Sequence, residues 1–167
     1  MDLLTQLIAQ AKQTPYFHLK DETTGEIYME RYWLVPPGEG VHTTIRLHHT
    51  KRSDHDRALH DHPMPSTSII LAGGFWEIMP EDQDQPCSLD LVRFQRIWRK
   101  PGDVVTRKAS DRHRLQLPDG ETCWSMFIMG PKEQNWGFYD PTQGYRYWRE
   151  YLDDWTTESV NDSMKND

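Results

Sequence analysis

The sequence is short of cysteine, has no surplus of basic charge and has no long apolar run. Its two cysteines, Cys87 and Cys123, form neither a disulfide scaffold nor a CxxC site. A formal net charge of -7 argues against nonspecific binding to nucleic acid, because no excess of lysine and arginine could neutralise phosphates. No apolar run reaches about 18 residues, so we expect no membrane association. The start of the chain also lacks the regions of a secretory signal, which predicts a cytoplasmic protein.

The length of 167 residues fits one domain with a core that needs no disulfide. No internal repeat or linker divides the chain. We therefore assign residues 1–155 to one domain. From Arg149 onward six acidic side chains stand against two basic ones, and we expect residues 156–167 to be a disordered acidic tail.

The residue pattern predicts many short strands and little helix. Apolar residues at helical spacing predict a short amphipathic helix over residues 2–13. Residues 27–35 and 41–49 are typical of strands, and two apolar runs around a Gly-Gly turn within 66–79 predict a β-hairpin. The aromatic stretch 145–155 favours a C-terminal helix. Repeated short strands of this kind indicate an all-β antiparallel sandwich or barrel.

Three histidines form a candidate metal site. His60 and His62 are two residues apart, so on an extended segment both imidazoles lie on the same side. His113 follows a Pro-Gly-Asp turn and faces inward if Leu115 and Leu117 share its face. Three converging imidazoles form half of an octahedral metal shell or most of a tetrahedral one. We therefore predict that His60, His62 and His113 bind one metal ion inside the barrel.

Three further residues are candidates for contact with a substrate. Arg46 and His48 share one face of a strand, and an inward Arg46 could bind a carboxylate or phosphate with two hydrogen bonds. His48 could be a fourth ligand, an acid–base group or a packed interior histidine. Glu77 could reach the pocket as a general base, or it could be a rim or surface carboxylate. Asp61, between two predicted ligands, should point the other way and brace the loop.

The spacing of these residues resembles the two motifs of the cupin superfamily. The first motif runs from the His-x-His pair to a glycine, here from His62 to Gly74, and the second runs from Gly102-Asp103 to His113. The match covers residues 40–130 and implies a double-stranded β-helix, or jelly roll, with a metal near one mouth.

A closer resemblance is to a group of bacterial and prophage-borne cupins without an established reaction. It also implies a homodimer, because cupins frequently pair through an edge strand or a sheet face. The matching residues are Arg52-Ser53-Asp54, Asp56-Arg57-Ala58-Leu59-His60-Asp61-His62-Pro63, Gly73-Gly74-Phe75-Trp76-Glu77, Gly130-Pro131 and Trp136-Gly137-Phe138.

The sequence departs from the common cupin pattern at one ligand position. Many cupins carry a glutamate ligand five positions after the second histidine, where this chain has Thr67. The remaining three-histidine set is similar to that of the thiol dioxygenases in the superfamily. Without a carboxylate the metal keeps its full positive charge, which favours an anionic substrate. Fe(II) is the first choice of metal, and Zn(II), Ni(II) and Mn(II) are alternatives.

Three functions are compatible with these residues. The first is a mononuclear non-haem metal oxygenase acting on a small anionic organic substrate. The second is a binding protein for a sugar-like or acidic ligand, in which the metal is structural or anchors that ligand. The third is a metal-dependent sugar isomerase or epimerase, which would need an acid–base pair such as His48 with Glu77.

Overall fold

The computed structural model describes residues 2–21, 24–54, 58–84, 93–140 and 143–153. The helices and strands, in chain order, are α1 (Leu3–Ala11), β1 (Leu19–Lys20), β2 (Ile27–Val35), β3 (Thr44–Thr50), β4 (Leu59–His60), β5 (Ser66–Gly73), β6 (Phe75–Pro80), β7 (Phe94–Arg99), β8 (Val104–Arg107), β9 (Arg114–Gln116), β10 (Cys123–Met129), β11 (Gly137–Asp140), β12 (Gly144–Tyr147) and α2 (Trp148–Asp153). All pairings between these strands are antiparallel, which confirms the predicted all-β class. None of the described helices is long and apolar enough to cross a membrane.

The larger layer is a six-stranded sheet in the order β1-β2-β3-β10-β5-β8. Side chains of each strand alternate between the outer and the inner face of this sheet. On the outer face Leu47 is fully buried and packs with Tyr32 against α1, which contributes Leu7 and Ala11. Asp2 caps this helix by accepting a hydrogen bond from a backbone N–H in the first turn. The predicted N-terminal helix is therefore confirmed, and it leaves the inner face of the sheet for other contacts.

The second layer consists of two three-stranded sheets, β12-β11-β4 and β7-β6-β9. An isolated β-bridge between His60 and His113 joins them edge to edge. The apolar core between the layers includes Ile70, Phe75 and Leu117. Two of the predicted metal ligands thus lie at the seam of this layer.

The predicted hairpin over residues 66–79 is wrong. β5 pairs with β10 and β8 in the large sheet, whereas β6 pairs with β7 and β9 in the second layer. Gly73 and Gly74 allow the chain to cross between layers. Gly73 has a φ of +71°, and a Cβ on Gly74 would lie 2.6 Å from the carbonyl oxygen of Arg99. A Gly-Gly pair between apolar runs is compatible with either a turn or a crossing, and the close approach of another strand decides the matter here.

The last described segment, 143–153, contains one strand and one short helix. The stretch predicted as helical, 145–155, begins in β12 and becomes helical only from Trp148. Trp148 stacks on Trp136, with ring centroids 5.6 Å apart, which holds α2 against the second layer. The predicted acidic tail, 156–167, lies outside the described residues, and the assignment of residues 1–155 to one domain stays a prediction.

Candidate metal centre

Three imidazoles meet where the two sheets of the second layer join. His60 ends β4, His62 lies two residues later, and His113 immediately precedes β9. Backbone hydrogen bonds of 2.8 and 3.0 Å run in both directions between His60 and His113. One ring nitrogen from each histidine lies within 4.8 Å of the other two, and His62 Nε2 is 2.9 Å from His113 Nε2. The structure therefore brings together the three histidines predicted as metal ligands.

The spacing of the rings suits a small cation. Imidazole nitrogens bind metals at about 2.0–2.1 Å, so two ligands at right angles have nitrogens about 3.0 Å apart and tetrahedral ligands about 3.4 Å. The 2.9 Å between His62 and His113 matches the right-angled case. The three nitrogens lie within 4.8 Å of one another, whereas two nitrogens on one ion are at most about 4.2 Å apart and only about 3.0 Å apart at right angles, so binding of an ion would draw the three rings closer together.

Burial keeps two of these histidines neutral. It lowers the pKa of His62 well below its usual range, and the nearby His60 and His113 lower it further. Burial, together with the charge of Arg107, also lowers the pKa of His113 to about 3, although Glu77 opposes the shift. A neutral imidazole has one nitrogen lone pair available for a metal. The site therefore presents lone pairs rather than charged rings.

Glu77 lies directly behind the cluster. Its side chain is fully buried, and its Oε1 lies 2.8 Å from His113 Nδ1. Arg107 donates to the same oxygen, whereas Arg99 donates to Oε2 from Nε and Nη2 at 2.7 Å. Burial alone would raise the pKa of Glu77, but the hydrogen bond from His113 and the charge of Arg107 outweigh it and hold the pKa well below its usual value. Glu77 is thus an ionised interior carboxylate and not a rim or surface group.

Asp61 points away from the cluster, as predicted, and contacts the segment that contains β11. It accepts hydrogen bonds from the backbone N–H of Gly137 at 2.7 Å, from Gln134 Nε2 at 3.1 Å and from the Tyr139 hydroxyl at 3.2 Å. These contacts fasten the segment containing β11 to the strand that carries His60. Asp56 and Arg57, with which Asp61 is predicted to brace the loop by ion pairs, lie outside the described residues, so that role stays a prediction.

A second carboxylate, that of Asp54, lies near His60. Asp54 accepts a hydrogen bond from the backbone N–H of Leu115 at 2.7 Å, and its Oδ2 lies 3.9 Å from His60 Nδ1. Ser53 accepts a hydrogen bond from the backbone N–H of Leu117. The segment before the histidine pair is therefore attached along β9, on the same side as His113.

Arg46 and His48 face the interior, on the same side of the large sheet as the cluster. His48 stacks on Phe127 with ring centroids 4.9 Å apart, and Phe127 lies 5.8 Å from His62. Arg46 is directly opposite Phe127 in the pairing of β3 with β10. Phe127 therefore separates the histidine cluster from Arg46 and His48.

Arg46 and His48 have different surroundings. The Arg46 guanidinium lies over the rings of Tyr16 and Trp33, 4.1 and 4.4 Å from their centroids. His48 Nε2 is buried and has no hydrogen-bond partner among the described residues. Burial, with the charges of Arg31 and Arg46, lowers the pKa of His48 well below its usual range. No hydrogen bond joins His48 to Glu77 among the described residues, and their action as an acid–base pair stays a prediction.

Sequence reasoning missed the residues that surround Glu77. Arg107 is 5% exposed and Arg99 reaches the same carboxylate from another strand. One signal was available, because Arg107 occupies the same face of β8 as the buried Val105. A cation at an inward position implies a buried anion, although it does not reveal which one. Thr67, at the position of the usual glutamate ligand, points outward and lies 3.1 Å from Thr106 through their hydroxyls.

Comparisons with known proteins find similar folds and no closer relationship. No family model matches the sequence, and neither does any curated protein. A cupin-2 domain from Rhodospirillum rubrum superposes with a TM-score of 0.50, at 17% identity over 71% of this chain and 70% of that one. The Fe(II) form of HppE gives a TM-score of 0.51, at 11% identity over 71% of this chain and 57% of that one.

A cupin-like protein from Thermotoga maritima gives a TM-score of 0.44, at 20% identity over 78% of this chain and 86% of that one. Identities this low establish the arrangement of the strands and nothing finer.

Proposed function

We propose that this chain, which has the cupin double-stranded β-helix fold, is a mononuclear non-haem metal oxygenase acting on a small anionic organic substrate. The observation that carries the proposal is the convergence of His60, His62 and His113 around one point. Among the described residues the group that could hold an ion contains these histidines and no carboxylate. Three protein ligands leave coordination positions open, as catalytic rather than structural metal sites do.

The charge around the site favours an anion. Neutral imidazoles leave a divalent metal its full charge of about +2. The negative charge of Glu77 does not offset it, because Arg107 and Arg99 both bind that carboxylate. The buried surroundings of the three histidines therefore carry a net positive charge once a metal is bound. A carboxylate, thiolate or phosphonate group would be attracted to such a centre more strongly than a neutral group.

Arg46 would bind a second polar end of the substrate. The rings of Tyr16 and Trp33 fix its guanidinium on the inner face, so little side-chain entropy is lost when an anion binds. Phe127 lies between this arginine and His62, and its ring offers an apolar surface for the middle of the substrate. The arrangement suits a small organic acid with one group at the metal and another at Arg46.

Fe(II) remains the preferred metal of this proposal. Three neutral imidazoles with no carboxylate among the described ligand candidates support iron, because imidazole suits this metal and three protein ligands leave positions open for the substrate and dioxygen. The similar fold of Fe(II) HppE supports iron as a metal that this architecture can hold. Zn(II), Ni(II) and Mn(II) remain the alternatives.

Metal analysis and an oxygen-uptake screen test the proposal together. The purified full-length chain is loaded anaerobically with Fe(II) and mixed with small carboxylates, thiols and phosphonates while dissolved oxygen is recorded. We expect substrate-dependent oxygen consumption that is absent from a His60→Ala variant. The matched control is His49→Ala, which removes an imidazole that stacks on Trp124 on the outer face of the large sheet.

The result that contradicts the proposal is tightly bound zinc with no oxygen uptake for any substrate. A ligand that raises the melting temperature of the metal-loaded protein without turnover would instead support the binding-protein alternative.

A further inference from the structure

Glu77 has no solvent-exposed surface, so only protein side chains can balance its charge. Its side chain is fully buried, and two arginines and a histidine surround it. Removal of one partner from such a buried group is costly, because it leaves charge that water cannot compensate. The contacts are also divided between its two oxygens: Oε1 receives His113 and Arg107, and Oε2 receives Arg99.

The contact with His113 determines which nitrogen of that ring carries a proton. An ionised carboxylate only accepts hydrogen bonds, so at 2.8 Å His113 Nδ1 must be the donor. A neutral imidazole carries one N–H, and Nε2 is then left with a lone pair. That Nε2 is the atom that lies 2.9 Å from His62 Nε2, inside the cluster.

We propose that Glu77 is a positioning residue that holds His113 in the Nδ1–H tautomer and aims its Nε2 at the metal. The inference rests on the proposed metal site for its purpose, but not for the tautomer itself. Because Glu77 has no exposed surface, it acts through His113 and does not touch a substrate. Carboxylates placed in this way behind a metal-binding histidine typically strengthen metal affinity about 10- to 100-fold.

The two arginines have separable tasks in this arrangement. Arg107, on β8 of the large sheet, shares Oε1 with His113 and also donates to Ser68, so it fixes the oxygen that faces the ligand. Arg99, on β7 of the second layer, contacts only the other oxygen. Substitution of Arg99 therefore disturbs the buried ion pair while leaving the contact between Glu77 and His113 in place.

This division provides a matched pair of variants. Glu77→Gln keeps the volume of the side chain but removes its charge and its obligatory acceptor role. Arg99→Gln removes a charge from the same ion pair without removing the carboxylate. Glu77→Asp is a third variant, in which the charge is kept and the reach to His113 is shortened, and it serves if Glu77→Gln does not fold.

Two measurements are made on each full-length variant. The first is a long-range ¹H–¹⁵N correlation spectrum of the metal-free protein, which reports the tautomer of each histidine. The second is a titration with Co(II), followed by visible absorption, which gives both the dissociation constant and the ligand geometry. Thermal unfolding of the metal-free proteins provides the stability reference.

We expect His113 to be in the Nδ1–H tautomer in the wild type and in Arg99→Gln. In Glu77→Gln and Glu77→Asp we expect His113 to adopt the Nε2–H tautomer or a mixture of the two. Co(II) should bind Glu77→Gln about 10- to 100-fold more weakly and with an altered spectrum. Arg99→Gln should lose stability but keep the affinity within about threefold, since its effect does not pass through His113.

The inference is overturned if His113 keeps its tautomer in Glu77→Gln, or if Arg99→Gln and Glu77→Gln weaken Co(II) binding equally. A wild type with the expected tautomer but no Co(II) binding would contradict the proposed metal function and leave the positioning of His113 standing. The two failures are therefore distinguishable.

Discussion

Replacement of His113 by alanine is the most direct perturbation of the proposed metal centre. The variant removes the ligand that joins the two sheets of the second layer through its side chain, while the backbone bridge to His60 can persist. Glu77 loses one donor but keeps both arginines, so its carboxylate remains paired. We therefore expect the metal-free variant to fold, with a free energy of unfolding lowered by about 1–3 kcal/mol.

The effect on metal binding is measured as a shift in melting temperature. Metal at 100 times its dissociation constant stabilises a protein by about 2.7 kcal/mol. For a chain of this size, each kcal/mol moves the melting temperature by about 2–4 °C, so the wild type should gain about 5–11 °C. If loss of one of three ligands weakens binding about 100-fold, the same metal concentration stabilises the variant by only about 0.4 kcal/mol, or roughly 1 °C.

Differential scanning calorimetry of both proteins, with Fe(II) or Co(II) and with a chelator, measures these shifts. His49→Ala is the control, because His49 is bound to Glu30 and Trp124 and lies outside the cluster. A metal-induced shift in His113→Ala equal to that of the wild type would refute the assignment of this ligand. Unfolding of the wild type by the chelator alone would show instead that the metal is structural.

Two further predictions concern the crossing between layers and an ion pair on the outer face. Gly74→Ala should lower the free energy of unfolding by about 1–3 kcal/mol in urea titrations, because its Cβ would meet the backbone oxygen of Arg99 at 2.6 Å. Gly38→Ala is the neutral control, because the nearest atom to its Cβ is 3.7 Å away. Equal losses of stability in the two variants would contradict the reasoning. Burial would raise the pKa of Glu30, but the hydrogen bond and charge of Lys51 lower it to about 2 from an ordinary 4.5. Its contribution to stability is therefore complete above pH 4.5 and is lost as the pH falls towards 2. Glu30→Gln should be less stable than the wild type by about 0.5–1 kcal/mol at neutral pH, and this difference should vanish in acid. A difference in stability that stays constant with pH would show that the charge of Glu30 is not its cause.

The convergence of the three histidines could be predicted from sequence because it depends on short-range geometry. His60 and His62 share a face through the two-residue period of an extended chain. His113 lies on the same side as Leu115, which packs on the apolar core, and so the alternation of one strand also indicates its inward direction. The same alternation correctly grouped Arg46 with His48 on an inner face.

Roles that depend on other strands could not be predicted. Glu77 looks like an ordinary strand carboxylate until Arg99 and Arg107 arrive from two different sheets. The crossing at Gly74 was mistaken for a turn for a similar reason, since the carbonyl of Arg99 that requires the glycine is distant in sequence. Local patterns specify which face a side chain occupies, but not which charged groups share that space.

The contacts of Asp61 connect the segment that contains β11 to the histidine cluster. β4, which ends at His60, pairs with β11, and Asp61 accepts hydrogen bonds from Gln134 and Gly137. A cation that restrains the imidazoles would thus also restrain the C-terminal strands, and by thermodynamic reciprocity a molecule that loosened those strands would release the ion. Metal binding and the stability of the pairing between β4 and β11 are on this view two readouts of one equilibrium.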